Sequence, residues 1–160
     1  VTMDVIVDDG IIHGLGNATL TNTRLNKKGN KLIIDTLHKK LLISGKQDLS
    51  GSFLLYPLTS NGEFHGEVYN IRITYTVHLN STPAVIEIHL KSVEFIHMEL
   101  KDNTLGYWGN AGLNKIVNDN WETFYDVIKP HAEGILGEEL TKTFSPLLSH
   151  YTFDELLPLM

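Results

Sequence analysis

Residues 71–79 read Ile-Arg-Ile-Thr-Tyr-Thr-Val-His-Leu, and this alternation decides the fold class. Ile71, Ile73, Tyr75, Val77 and Leu79 fall on one side of an extended chain and Arg72, Thr74, Thr76 and His78 on the other. Successive side chains of a strand point to opposite faces, so the segment predicts a strand with one buried and one solvated side. Residues 84–100 repeat the pattern, with Ile86, Ile88 and Leu90 and then Ile96, Met98 and Leu100 on one face and Glu87, His89, Lys91 and Glu99 on the other. Between Ser92 and Glu94 the alternation loses phase, which predicts a bulge or a strand leaving one packing layer for another.

Outward from this pair, the first hundred residues consist of short alternating segments separated by Gly, Asn, Ser or Pro. Strands are expected near 1–8, 17–25, 31–44, 50–58, 62–79 and 84–100. After Leu100 the apolar period changes from 2 to about 3.6. Leu113, Ile116, Val117, Trp121, Phe124 and Ile128 make one helical stripe, and Ile135, Leu136, Leu140, Phe144 and Leu147 resume it. Pro130 disfavours helical geometry at Lys129, so the helix is expected to break or kink there. Gly106, Gly109 and Gly112 predict a flexible lead-in, with Asn110 or Asn114 as cap. Strands followed by a helix, rather than strict alternation, indicate an α+β fold. No internal repeat, low-complexity tract or linker divides the chain, so residues 1–160 read as a single domain.

Composition narrows the function classes. The chain has 160 residues, a formal net charge of −6 and 13 dispersed basic residues, which gives no footprint for nucleic acid. No apolar run approaches the roughly 20 residues of a membrane-spanning helix, so no stable membrane insertion is expected. Cysteine is absent, which excludes disulfides and thiolate zinc sites within these residues. Val1 to Val7 already alternate, so the sequence is expected to begin inside a strand, as the C-terminal portion of a longer chain. Asn17-Ala18-Thr19 and Asn80-Ser81-Thr82 match the glycosylation acceptor pattern, making Asn17 and Asn80 candidate sites, the second at a hairpin tip.

No catalytic constellation emerges. His89 and His97 share a strand face, but eight residues separate them by about 26 Å along one straight strand, too far to share an ion. His131-Ala132-Glu133 lacks the cysteine pair of a zinc deaminase and reads as a cap or solvated turn. No Gly-x-Ser-x-Gly elbow is present, and the glycine-rich stretches lack the strand and helix that cradle a pyrophosphate. Neither a metal nor a cofactor is expected.

Leu41 to Ile71 (LLISGKQDLSGSFLLYPLTSNGEFHGEVYNI) resembles the insect juvenile hormone-binding protein and takeout family. The features are Gly45, Gly51 six residues on, the leucine run into Pro57, and Asn61-Gly62. His13-Gly14-Leu15-Gly16-Asn17 is similar to the family's Gly-Leu turn. Asn118-Asp119-Asn120-Trp121, Lys129-Pro130 and Phe153-Asp154-Glu155-Leu156 follow its order. His38-Lys39 stands where many members have Phe-Pro, and the family's cysteine-bearing N-terminal segment is missing.

The resemblance implies a secreted carrier in which a long curved antiparallel sheet wraps the C-terminal helix around an elongated apolar tunnel. Juvenile hormone-like isoprenoids, fatty acids or related lipids are the implied ligands, and a receptor or another carrier the implied protein partner. Ile73, Val77, Ile88 and Leu90 on the sheet and Trp121, Phe124 and Ile128 on the helix are the candidate lining. Tyr75 is the candidate polar anchor, placing a phenol on an aliphatic face; a core tyrosine bonded within the protein is the other reading of the same residue. Two other functions stay open: a protein-interaction module whose groove its own side chains fill, and a hydrolase of the same ligand class.

Overall fold

A computed structural model describes residues 2–81, 83–150 and 155. Among these, six strands form one sheet: β1 (Thr2–His13), β2 (Thr19–Asn26), β3 (Lys31–Phe53), β4 (Tyr56–His78), β5 (Val85–Ser92) and β6 (Phe95–Asp102). Two helices follow, α1 (Gly106–Asp119) and α2 (Trp121–Leu148). The α+β class expected from the sequence is therefore present, as a long antiparallel sheet followed by C-terminal helix.

The two 23-residue strands β3 and β4 are neighbours in the sheet. β3 pairs antiparallel with β1 through its Leu42–Ser52 part and with β2 through Lys31–Leu37. β4 pairs with β6 from Gly62↔Asp102 to Tyr69↔Phe95 and also neighbours β5. Between β1 and β2 the chain turns at Gly14, whose φ of 102° suits glycine. A Cβ there would lie 2.7 Å from the Lys40 carbonyl oxygen, so the turn also needs glycine for close approach.

Several expected boundaries move. The breaks anticipated at 45–49 and 59–61 lie inside β3 and β4, and the hairpin between them turns at Leu54-Leu55. Both leucines have positive φ, 49° and 71°, which is the geometry of the two-residue turn compatible with strand twist. Gly62 is a close-approach position rather than a turn, since a Cβ there would sit 1.9 Å from the Lys101 carbonyl oxygen of β6. The predicted phase break at 92–94 separates β5 from β6.

α2 runs through Pro130 without a break, at the cost of one lost N–H and one local clash. A separate interruption falls at Asn120, where φ −128° and ψ 34° leave helical space. Its backbone N–H closes a tight turn on the Val117 carbonyl, and its side chain donates to the Ile116 carbonyl at 2.8 Å. Asparagine favours such local bonds over helix continuation. All three lead-in glycines lie within α1.

The chain resolves into two compact units. The first takes residues up to Ala18, His38–Ile71 and Ser92–Pro130; the second takes Thr19–Leu37, Arg72–Lys91 and the described residues from His131 onward. The pleat changes phase where each strand passes between units. In β3 the buried positions switch from Thr36 and His38 to Leu41, Gln47 and Leu49. In β4 they switch from Ser60, Phe64 and Val68 to Ile71, Ile73 and Val77, with Asn70 at φ 49° between them. One residue out of step exchanges the two faces of a strand.

Candidate ligand-binding residues

In the second unit the sequence candidates of the sheet come together. His78 Nε2 and Glu87 Oε2 lie 3.0 Å apart, which ties one face of β4 to one face of β5. The opposite faces then carry Ile73, Tyr75 and Val77 beside Ile88 and Leu90. Ile73, Val77, Ile88 and Leu90 are all buried. Tyr75 is half-buried; burial pushes its phenol pKa up, opposed by a hydrogen bond with the Thr36 hydroxyl. Thr36 in turn donates to the Ile73 carbonyl at 3.1 Å.

One residue of the face expected to be solvated is covered. Thr74 is buried and donates to Asp35 Oδ1 at 2.6 Å, and Arg24 reaches Asp35 Oδ2 at 3.1 Å. The Thr74 bond is the main cause holding the Asp35 carboxyl below its ordinary pKa. A polar residue with a matched acceptor tolerates burial, so alternation alone overstated exposure here.

In the first unit Phe124 packs edge-on against Phe53, with ring centroids 6.0 Å apart and both residues buried. Leu113 and Val117 of α1 are buried, as are Phe64, Val68, Ile96, Met98 and Leu100 of the sheet. Trp121 goes elsewhere: its ring meets Phe95 at 5.9 Å, and Phe95 also faces Tyr69. Phe95 is 43% exposed, so Trp121 lies against a surface residue. Ile128 is half-buried, whereas Ile116 of the same predicted stripe is exposed. His38, at the Phe-Pro position, is 1% exposed, and burial lowers its pKa against a backbone hydrogen bond with Gly14.

Sequence reasoning missed how the helices meet the sheet. Asn110, Asn114 and Asn118 recur every four residues, and each amide both accepts from and donates to one β6 residue: Asp102, Leu100 and Met98. Four helical residues rise about 6 Å and two strand residues about 6.6 Å, so the two periods run in step. Asn110 or Asn114 was expected as a cap; a polar stripe at i, i+4 and i+8 was the available signal. The turn leading into α1 is held by Asp102, which accepts from the backbone of Thr104 and Leu105 and from the Thr104 hydroxyl. Burial would raise the Asp102 pKa, but these bonds and one from the Asn61 amide bring it down to about 2.

In the second unit Glu133, Gly137, Thr141 and Ser145 form the corresponding face of α2. Glu133 Oε1 accepts from the Leu90 amide at 2.8 Å, and Thr141 bonds both the N–H and the carbonyl of Ile86. Glu133 is thus a strand-edge partner within a helix, not a solvated turn. Ile135, Phe144 and Leu147, expected on the packing stripe, are exposed. An open groove of about 660 Å³ runs between β5 and α2, and of the candidates only Ile88 lines it. Its wall is mainly apolar, with Glu87, Glu133, Glu138 and Lys142 around it.

Asn17 and Asn80 are both exposed; Thr82 of the second acceptor triplet, and Phe153, Asp154 and Leu156, lie outside the described residues. Among the described residues no three His, Cys, Asp or Glu are grouped to hold a metal ion, and no helix is long and apolar enough to cross a membrane.

The family model of haemolymph juvenile hormone binding protein (JHBP) matches residues 1–158. Among solved structures, Takeout 1 of Epiphyas postvittana superposes with a TM-score of 0.74 at 18% identity, covering 96% of this chain and 76% of that one. A lipopolysaccharide binding protein gives a TM-score of 0.44 at 16% identity, over 91% of this chain and 30% of that one. No curated protein sequence matches.

Proposed function

Because the chain belongs to the haemolymph juvenile hormone binding protein family, we propose that it is a secreted, non-catalytic carrier of one elongated apolar small molecule. The ligand class is a juvenile hormone-like isoprenoid, a fatty acid or a related lipid, held in an apolar tunnel within a single functional domain. Each methylene taken out of water contributes about 0.8 kcal/mol, so a long chain reaches micromolar affinity or better through burial alone. Selectivity then rests on length and on a polar end.

The observation that carries this reading is the apolar face of β4 and β5, where Ile73, Val77, Ile88 and Leu90 surround one half-buried phenol, Tyr75. We assign Tyr75 to the polar end of the ligand and these four residues to its apolar length. Asn17 and Asn80, both exposed, are the proposed glycan acceptors of a secreted chain.

Mass spectrometry of an organic extract of natively purified protein should show bound lipid, and a fluorescent fatty acid should be displaced by isoprenoid esters. Tyr75→Phe should weaken binding of an epoxide- or ester-ended ligand by about 0.5–1.5 kcal/mol and leave plain fatty acids nearly unchanged. Empty extracts together with no displacement would remove the carrier function. Equal behaviour of the Tyr75→Phe variant and its parent toward both ligands would remove Tyr75 alone.

A further inference from the structure

The interior of the first unit contains a polar pair that the fold does not satisfy. Gln47 of β3 and Ser60 of β4 are 5% and 1% exposed, on the faces that also carry Leu49, Phe53 and Phe64. Gln47 Nε2 donates to Ser60 Oγ at 2.8 Å. The other end of the amide, Oε1, is buried and has no hydrogen-bond partner among the described residues.

A glutamine amide offers two donors and one acceptor, and burying an acceptor unpaired costs more than an ordinary hydrogen bond returns. The same volume filled by methionine would avoid that cost. Next to Gln47 on the same strand face stands Gly45, where a Cβ would lie 3.0 Å from Phe64 Cε1, so the Phe64 ring crosses the glycine beside the amide. Leu49 flanks it on the other side, and Val7 is its register partner on β1. The unfilled acceptor is thus set among apolar side chains.

We propose that Gln47 Oε1 is the receptor for the terminal hydroxyl of an alcohol-ended apolar ligand, with Ser60 fixing the amide so that its oxygen faces the chain. This rests on the carrier function proposed above and adds to it a head-group preference and a second anchor, apart from Tyr75. An alcohol supplies the donor that Oε1 lacks; an ether or ester of the same length supplies only acceptors.

The test is displacement of a bound fluorescent fatty acid by dodecanol and by dodecyl methyl ether, with the melting temperature of the ligand-free protein measured alongside. The parent should favour the alcohol about five- to tenfold, the ordinary worth of one hydrogen bond. Gln47→Met combined with Ser60→Ala, which leaves no orphaned hydroxyl, should abolish that preference, keep the affinity for the ether, and melt no lower than the Ser60→Ala variant when ligand-free. Ser60→Ala, which releases the amide, should reduce the preference about two- to threefold. Equal binding of alcohol and ether by the parent would overturn the proposal while leaving the carrier function standing. So would a preference retained in the double variant, or its melting below Ser60→Ala when ligand-free, which would make the amide structural. Failure of the parent to bind the fluorescent fatty acid, together with empty organic extracts, would remove the carrier function, and this anchor with it.

Discussion

The two units solve the same problem with different chemistry. Each leaves a strand edge, β6 in the first and β5 in the second, whose backbone N–H and C=O groups need partners once a helix covers them. In the first unit three asparagines meet three successive outward residues of β6, donor for acceptor and acceptor for donor. In the second, Thr141 serves Ile86 and Glu133 serves Leu90, while between them on the helix stands Gly137. An amide can satisfy both groups of one residue in a single plane, whereas a carboxylate can only accept. The first seam is therefore closed by paired bonds and the second by fewer, and the open groove lies along the second.

Removing the middle of the closed seam should have the largest effect. Asn114→Leu keeps roughly the volume but leaves the Leu100 amide and carbonyl unpaired under the helix, costing about 3 kcal/mol. Thr141→Val, the matched change in the second unit, also removes two bonds, one of them at 3.3 Å, and should cost about half as much. Urea unfolding of both variants measures the contrast. Equal losses would mean that the two seams are energetically alike despite their chemistry.

Acid acts on the first unit through Asp102, at the end of the asparagine seam. Its pKa falls from 3.8 to about 2 on folding, so the stability it contributes is complete above pH 4 and disappears as pH drops through about 2. The lowering corresponds to about 2 kcal/mol. Asp102→Asn should lose this at neutral pH and unfold with a correspondingly shallower acid dependence between pH 4 and 2. An unchanged acid profile would place the carboxylate's contribution elsewhere.

How far the sequence disclosed this division depends on the kind of pattern involved. Alternation in 71–79 and 84–100 located the strands and the break at 92–94 because burial of an apolar face is written directly in residue type. The same rule misplaced Thr74, since its burial depends on Asp35, 39 residues away. The break expected at 59–61 is continuous strand, and Gly62 beside it is selected by close approach to another strand. Trp121 and Phe124 share a stripe by periodicity yet meet different partners, Phe95 and Phe53. Gln47 carried no signal at all; a polar residue in a strand reads as exposed until its neighbours are seen.

The smallest effect sharpens the contrast at the helix of the second unit. Gly134 and Gly137 both lie inside α2, where alanine is favoured over glycine by about 0.8–1 kcal/mol. A Cβ on Gly134 meets nothing within 4 Å, so Gly134→Ala should stabilise by nearly that amount. At Gly137 it would lie 3.2 Å from the Ile86 carbonyl oxygen, the group that also receives Thr141. Backbone oxygen cannot swing aside as a side chain does, so the helix must retreat a few tenths of an ångström and lengthen the Thr141 bond. Gly137→Ala should therefore gain less than Gly134→Ala, by about 0.5–1 kcal/mol, in thermal unfolding of the single variants. The Thr141→Val background separates the causes: if the seam is what resists the methyl, Gly137→Ala recovers most of the Gly134 gain there. A deficit that persists without the hydroxyl would show that strand backbone, not the Thr141 bond, sets the helix distance.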